Sequence, residues 1–164
     1  MDAFRQDLID LLDGGKAHRP FDDVIAGINP NEIDRSLGGS PHTPWRLVEH
    51  LRITTLDIVH YVFDENYVEM AWPDDYWPQE EAPSGENDEA RFAAFLRSAD
   101  GFRQACQRLR ERVEDEAVDP LAPLTPLAGG TSLARNIMLI ADHNAWHVGQ
   151  LASLLAMIRS RGDS

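Results

Sequence analysis

The sequence predicts an all-α fold: a four-helix bundle with a long crossover loop between its second and third helices. Three observations lead there. Apolar residues recur at spacings of three and four through four long segments. Helix-start residues stand immediately before those segments. No segment shows the period of two expected of a half-buried strand. At 164 residues the chain can build one domain with a real core but not two, so residues 1–164 are expected to form a single domain.

The first helix is expected over residues 2–14, with Phe4, Leu8, Leu11 and Leu12 on one face and Gly14-Gly15 as its stop. A short helical stretch follows at 20–28, where Phe21, Val24, Ile25 and Ile28 recur. Residues 29–43 are rich in Asn, Pro, Gly and Ser and read as loop. The second long helix starts with Thr43 as N-cap and Pro44 at the first helical position, and runs to about Phe63. The third runs from near Asn87 to Glu114, with an apolar seam through 92, 95, 96, 99, 102, 106, 109 and 113. Residues 115–130 are a loop with three prolines and a Gly-Gly pair. The fourth long helix starts at Thr131 or Ser132 and runs to about Arg159. The 64–86 connection exceeds the usual bundle loop of about two to eight residues, so it is a crossover or a lid.

Charge and hydropathy narrow the function. The net charge of −13 opposes binding to nucleic acid or to anionic membranes, both of which call for basic patches. Residues 64–90 hold ten Asp or Glu and no Lys or Arg, a solvated acidic run. No apolar run approaches the roughly 18 residues of a membrane span. The start Met-Asp-Ala-Phe-Arg-Gln-Asp lacks the features of a signal peptide, and a cytoplasmic location is expected. The single cysteine, Cys106, excludes an internal disulfide and falls on an apolar stripe, as a buried inert thiol would.

The chemistry centres on His143 and His147. Residues four apart on a helix share a face, with Cβ atoms about 5–6 Å apart. Two imidazoles so placed can ligate one metal ion at about 2.0–2.1 Å. Both flank the apolar stripe of Ile137, Ala141, Val148, Leu151 and Leu155, with Gln150 on the same flank. A third ligand has to come from another helix. His18 and His42 fall in loops or at helix ends and His60 near the end of its helix. His50, mid-helix and sharing a face with Thr54, Asp57 and Tyr61, is the best candidate. The alternative is an ordinary half-buried or surface histidine pair, and spacing alone does not decide. Asn144 stands where the HExxH motif has its general-base Glu, so the chain is not a zincin.

Three stretches carry a family resemblance. Ala141-Asp142-His143-Asn144-Ala145-Trp146-His147-Val148-Gly149-Gln150 resembles the C-terminal motif of the DinB-like (damage-inducible) superfamily. Trp45-Arg46-Leu47-Val48-Glu49-His50-Leu51 resembles its second-helix motif, and Ala71 to Pro78 the inter-helix segment of one subgroup. The resemblance implies a four-helix bundle with a long crossover. It implies a divalent metal, typically zinc or nickel, on His50, His143 and His147, and a homodimer formed through helix faces. Characterised members include thiol-S-transferases and isomerases that use low-molecular-weight thiols. The expected partner is therefore a small-molecule substrate, in a metal-dependent hydrolase or thiol transferase. A non-catalytic metal-binding bundle serving as a stress-response or binding module is the alternative.

Other residues near this face have open roles. Asp57, two turns after His50, can orient a ligand, act as general base or be an ordinary surface carboxylate. Glu49 and Asp142 adjoin the histidines in sequence and point away. Tyr67, Trp72, Tyr76 and Trp77, among prolines 73, 78 and 83, form either a loop strapped on by aromatic anchors or a lid. Trp146 lies on another helix face and suits packing or a dimer contact.

Overall fold

Five α-helices make up the chain among the described residues, 1–124 and 130–162 of a computed structural model. They are α1 (Ala3–Asp13), α2 (Phe21–Ile25), α3 (Pro44–Phe63), α4 (Asp88–Glu114) and α5 (Leu133–Gly162). No strand occurs among the described residues; an isolated bridge joins Pro123 to Ser132. Pro126 and Gly129 of the predicted 115–130 loop lie outside the described residues.

The helices start where local capping directs. The side chains of Asp2, Thr43 and Asn87 accept from the backbone N–H groups of Arg5, Arg46 and Ala90. Ser132 Oγ accepts from Arg135 N at 3.2 Å at the start of α5. Gly14, at φ 68°, ends α1 in a conformation that a β-carbon would strain. α5 continues a turn beyond the expected Arg159. None of the helices is long and apolar enough to cross a membrane.

α1 and α3 each pack against both α4 and α5, and α2 lies on α5. The core has two halves. One gathers Leu47, Leu51, Phe95, Phe102, Leu151 and Leu155; the other gathers Leu8, Val59, Leu109, Leu133 and Ile137. Between them runs a belt of buried polar side chains: His50, Thr54 and Asp57 on α3, and Asn144 and His147 on α5. A polar layer sandwiched by two apolar ones can hold a site rigidly between packed helices.

The buried seam of α1 differs from the predicted one. Arg5, Leu8, Ile9 and Leu12 face inward, while Leu11 is 50% exposed. The difference arises because a guanidinium can be buried when carbonyls await it. Arg5 Nη1 donates to Val113 O at 2.5 Å and Asp115 O at 3.1 Å, and Nη2 donates to Val118 O. These acceptors lie at and just beyond the C-terminus of α4, where a cation is favoured. Hydrogen bonds from charged donors contribute about 1.5–3 kcal/mol each, and a buried carbonyl left without a partner costs about 1–3 kcal/mol. Arg5→Leu is therefore expected to destabilise the fold by about 3 kcal/mol, read as a lower urea midpoint at unchanged slope.

A second tie closes the other end. Glu32, 4% exposed, accepts from Arg159 Nε at 2.8 Å and from Asn29 N at 2.7 Å. The Arg159 bond, together with those from Asn29, holds the Glu32 carboxyl below its ordinary value against the opposing effect of burial. A depressed carboxylate stabilises the fold above its unfolded value and loses that contribution as pH falls through the folded one. Glu32→Gln should therefore lower stability at neutral pH and flatten the acid side of the stability–pH curve, measured by urea melts from pH 7 to pH 3.

Candidate metal centre

Packing of α3 on α5 brings His50 level with His143 and His147. His50 Nε2 lies 3.0 Å from His143 Nε2 and 3.2 Å from His147 Nε2. Tetrahedral Zn–N bonds place their nitrogens about 3.3–3.4 Å apart, so these separations suit three ligands of one ion. Among the described residues these are the three that could share a metal.

The opposite edge of each ring faces an oxygen. His50 Nδ1 lies 2.6 Å from the Tyr76 carbonyl, and His147 Nδ1 lies 2.8 Å from Gln150 Oε1. His143 Nδ1 faces Asn144 Oδ1 at a longer 3.4 Å. A carbonyl can only accept, so His50 Nδ1 carries the proton, and the same tautomer suits the other two rings. Burial drives His50 down to about 3 and His147 down to about 4, and holds His143 below its ordinary value. The rings are then neutral at pH 7, with ligand nitrogens of all three within 4.8 Å of one another. The bare Nε2 of His50 faces those of His143 and His147 at 3.0 and 3.2 Å, lone pair against lone pair, a repulsion that a cation between them relieves. Carbonyl acceptors on the far nitrogens are the usual means of orienting metal-binding imidazoles. The donor set thus fits a divalent ion.

The 64–86 segment completes the surroundings. Its 3₁₀ turn, Asp74–Tyr76, packs on α3. Trp77 stacks on His50, with ring centroids 3.7 Å apart and planes within 1°. His42 stacks on the other face of Trp77 at 4.3 Å, so the indole lies between two imidazoles. Tyr76 is held at both ends: its carbonyl faces His50 and its hydroxyl donates to Asp57 Oδ2 at 3.0 Å. Tyr67 donates to Asp57 Oδ1, also at 3.0 Å. Burial, with the Asp57 carboxylate beside it, raises the Tyr76 phenol to about 12, so it remains a donor at neutral pH. The segment is strapped on by aromatics and at the same time covers His50.

Several sequence candidates fall outside the cluster. Asp57 spends both oxygens on the two phenols. Glu49 accepts from Arg52 and from Ser98 on α4. Asp142 is exposed, and Trp146 is 68% exposed on the outer side of α5. Burial raises the Cys106 thiol to about 12. Three contributors had no distinctive sequence signal: the Tyr76 carbonyl, the Asn144 side chain and the His42 ring. The pairing of Gln150 with His147 was the more legible, since residues three apart on a helix meet. Comparison with protein-family models, with curated proteins and with solved structures finds no match for this chain.

Proposed function

We propose that this protein is a metal-dependent enzyme acting on a small molecule, a hydrolase or thiol-S-transferase of the DinB-like kind. In this view the helices form a four-helix bundle whose long crossover joins α3 to α4. The observation that carries the proposal is the convergence of three neutral imidazoles with their outer nitrogens tied to carbonyl oxygens. The packing of α1 and α3 on both α4 and α5 supports the bundle assignment.

His50, His143 and His147 would hold the ion, zinc or nickel being suited to imidazole donors. The Tyr76 carbonyl, Gln150 and Asn144 keep the rings turned inward. Trp77 screens the His50 side from water. His143 is the least buried of the three and marks the side open to substrate. A divalent ion on three neutral ligands keeps its full charge and supplies Lewis acidity to a water or a thiol at its open position. Structural zinc sites are usually closed by four protein ligands. Asp57, a buried carboxylate on the same helix as His50, is engaged by Tyr67 and Tyr76. That favours a reactive site over a non-catalytic metal-binding module.

The test is a screen of metal-loaded protein with low-molecular-weight thiols against small electrophiles, with simple esters and amides alongside. Turnover is expected with one class and should vanish in His50→Ala. Metal-loaded protein with no turnover in any class would favour the non-catalytic bundle.

A further inference from the structure

The 64–86 strap is fastened to the bundle in three places, and one of them touches a candidate ligand. Near its start, Tyr67 donates to Asp57 Oδ1, and Tyr76 reaches the other oxygen of the same carboxylate. Near its end, Thr43 Oγ1 donates to the Glu81 carbonyl at 3.0 Å, and Arg46 Nη1 to the Glu81 carboxylate at 2.7 Å. Between them the Tyr76 carbonyl faces His50 Nδ1, and Trp77 lies flat on the same ring. Residues 71–75 of the strap are exposed. A segment with so little buried surface opens more readily than the helices beneath it.

The middle fastening depends on which nitrogen of His50 carries the proton. On Nδ1 the proton is donated to the Tyr76 carbonyl at 2.6 Å. On Nε2 it is donated instead to His143 Nε2 at 3.0 Å or His147 Nε2 at 3.2 Å, and the bare Nδ1 then repels the carbonyl. The two tautomers compete. The other two rings face side-chain amides, Asn144 and Gln150, which can turn and offer either a donor or an acceptor. A backbone carbonyl has no such choice, so the strap alone registers the tautomer of His50. A ligating His50 keeps Nε2 bare for the ion and its proton on Nδ1, and the competing tautomer is lost.

We propose that the strap is a metal-locked lid: an ion on His50, His143 and His147 holds the Tyr76–Trp77 stretch closed, and loss of the ion lets that stretch lift from His50. This rests on the metal centre proposed above and adds a means of regulating it. Coupling between two equilibria is reciprocal. Groups that orient ligating histidines contribute about 10–100-fold to metal affinity, so the ion shifts the lid toward its closed form by about the same factor. His50 is 1% exposed beneath Trp77, and lifting this stretch opens the α3 flank of the site.

The experiment compares amide hydrogen exchange, read by mass spectrometry on the full-length protein, with and without one equivalent of zinc. The Asp75 and Tyr76 amides are bonded within the strap, to Ala71 O and Pro73 O. Zinc is expected to slow exchange in peptides covering these residues by about 10–100-fold. The turn of residues 115–122, whose Val118 and Ala122 amides are also bonded locally, should exchange at an unchanged rate. His143→Ala removes a ligand and leaves every strap fastening named above in place, so zinc should no longer slow the strap. His147→Ala serves if that variant does not fold. Slowing that persists in the ligand variant would mean that zinc acts through the strap's own carboxylates, and overturns the proposal. Slowing shared equally by the 115–122 turn overturns it as well. Zinc uptake measured on the same samples separates the two ideas. Uptake of one ion with no slowing of the strap removes the lock alone, whereas failure to take up zinc removes the metal site and the lock with it.

Discussion

A His143→Ala/His147→Ala protein is expected to take up no divalent ion under conditions where the parent takes up one per chain. Elemental analysis after dialysis against zinc or nickel measures this directly. The variant keeps a single imidazole, His50, and one neutral ligand on a folded helix does not retain an ion against water. The consequence for stability is as large as that for stoichiometry. Binding to the folded state alone stabilises it by about 4 kcal/mol when free ion is present at 1,000 times its Kd. The parent melting temperature should therefore climb with added ion while that of the variant stays level. Equal metal content in the two proteins would remove the site.

Asp57→Leu is expected to destabilise the protein and weaken metal binding together. Asp57 is a buried carboxylate that accepts from two phenols, and bonds to a charged acceptor contribute about 1.5–3 kcal/mol each. Some of this returns when the released hydroxyls meet water, so a loss of about 3 kcal/mol is expected in urea melts. The effect on metal is indirect. Tyr76 presents its carbonyl to His50 Nδ1 only while its hydroxyl is held, and groups that orient ligating histidines typically contribute 10–100-fold to affinity. Competition titration should thus show metal affinity lower by about that factor. Tyr67→Phe is the control: it removes a strap bond without touching the Tyr76 carbonyl. A fall in stability with unchanged metal affinity in Asp57→Leu would make the strap a clamp with no role in orienting His50.

How much of this could be read in advance depended on how local each interaction is. The starts of α1, α3, α4 and α5 were legible because a cap is a contact across three residues. The face shared by His143 and His147 was legible for the same reason. The α1 seam was not, because what makes Arg5 an inward residue is a set of carbonyls more than a hundred positions away. Asp57 is similar: its surroundings gave it three roles on paper, and two hydroxyls from the 64–86 segment assign it one. His42 looked remote in a loop, and the stack on Trp77 brings it within one ring of His50.

Helical periodicity and capping thus suffice for an all-helical chain with two imidazoles on one inward flank and a third on another helix, since each follows from backbone geometry within a few residues. Packing of α3 against α5 decided that the third ring stands at the level of the pair. The strap decided that His50 turns its bare nitrogen inward, through a backbone carbonyl that every residue type carries and no sequence pattern marks. Those are contacts between distant segments, and only the folded chain brings them to 2.6–3.2 Å.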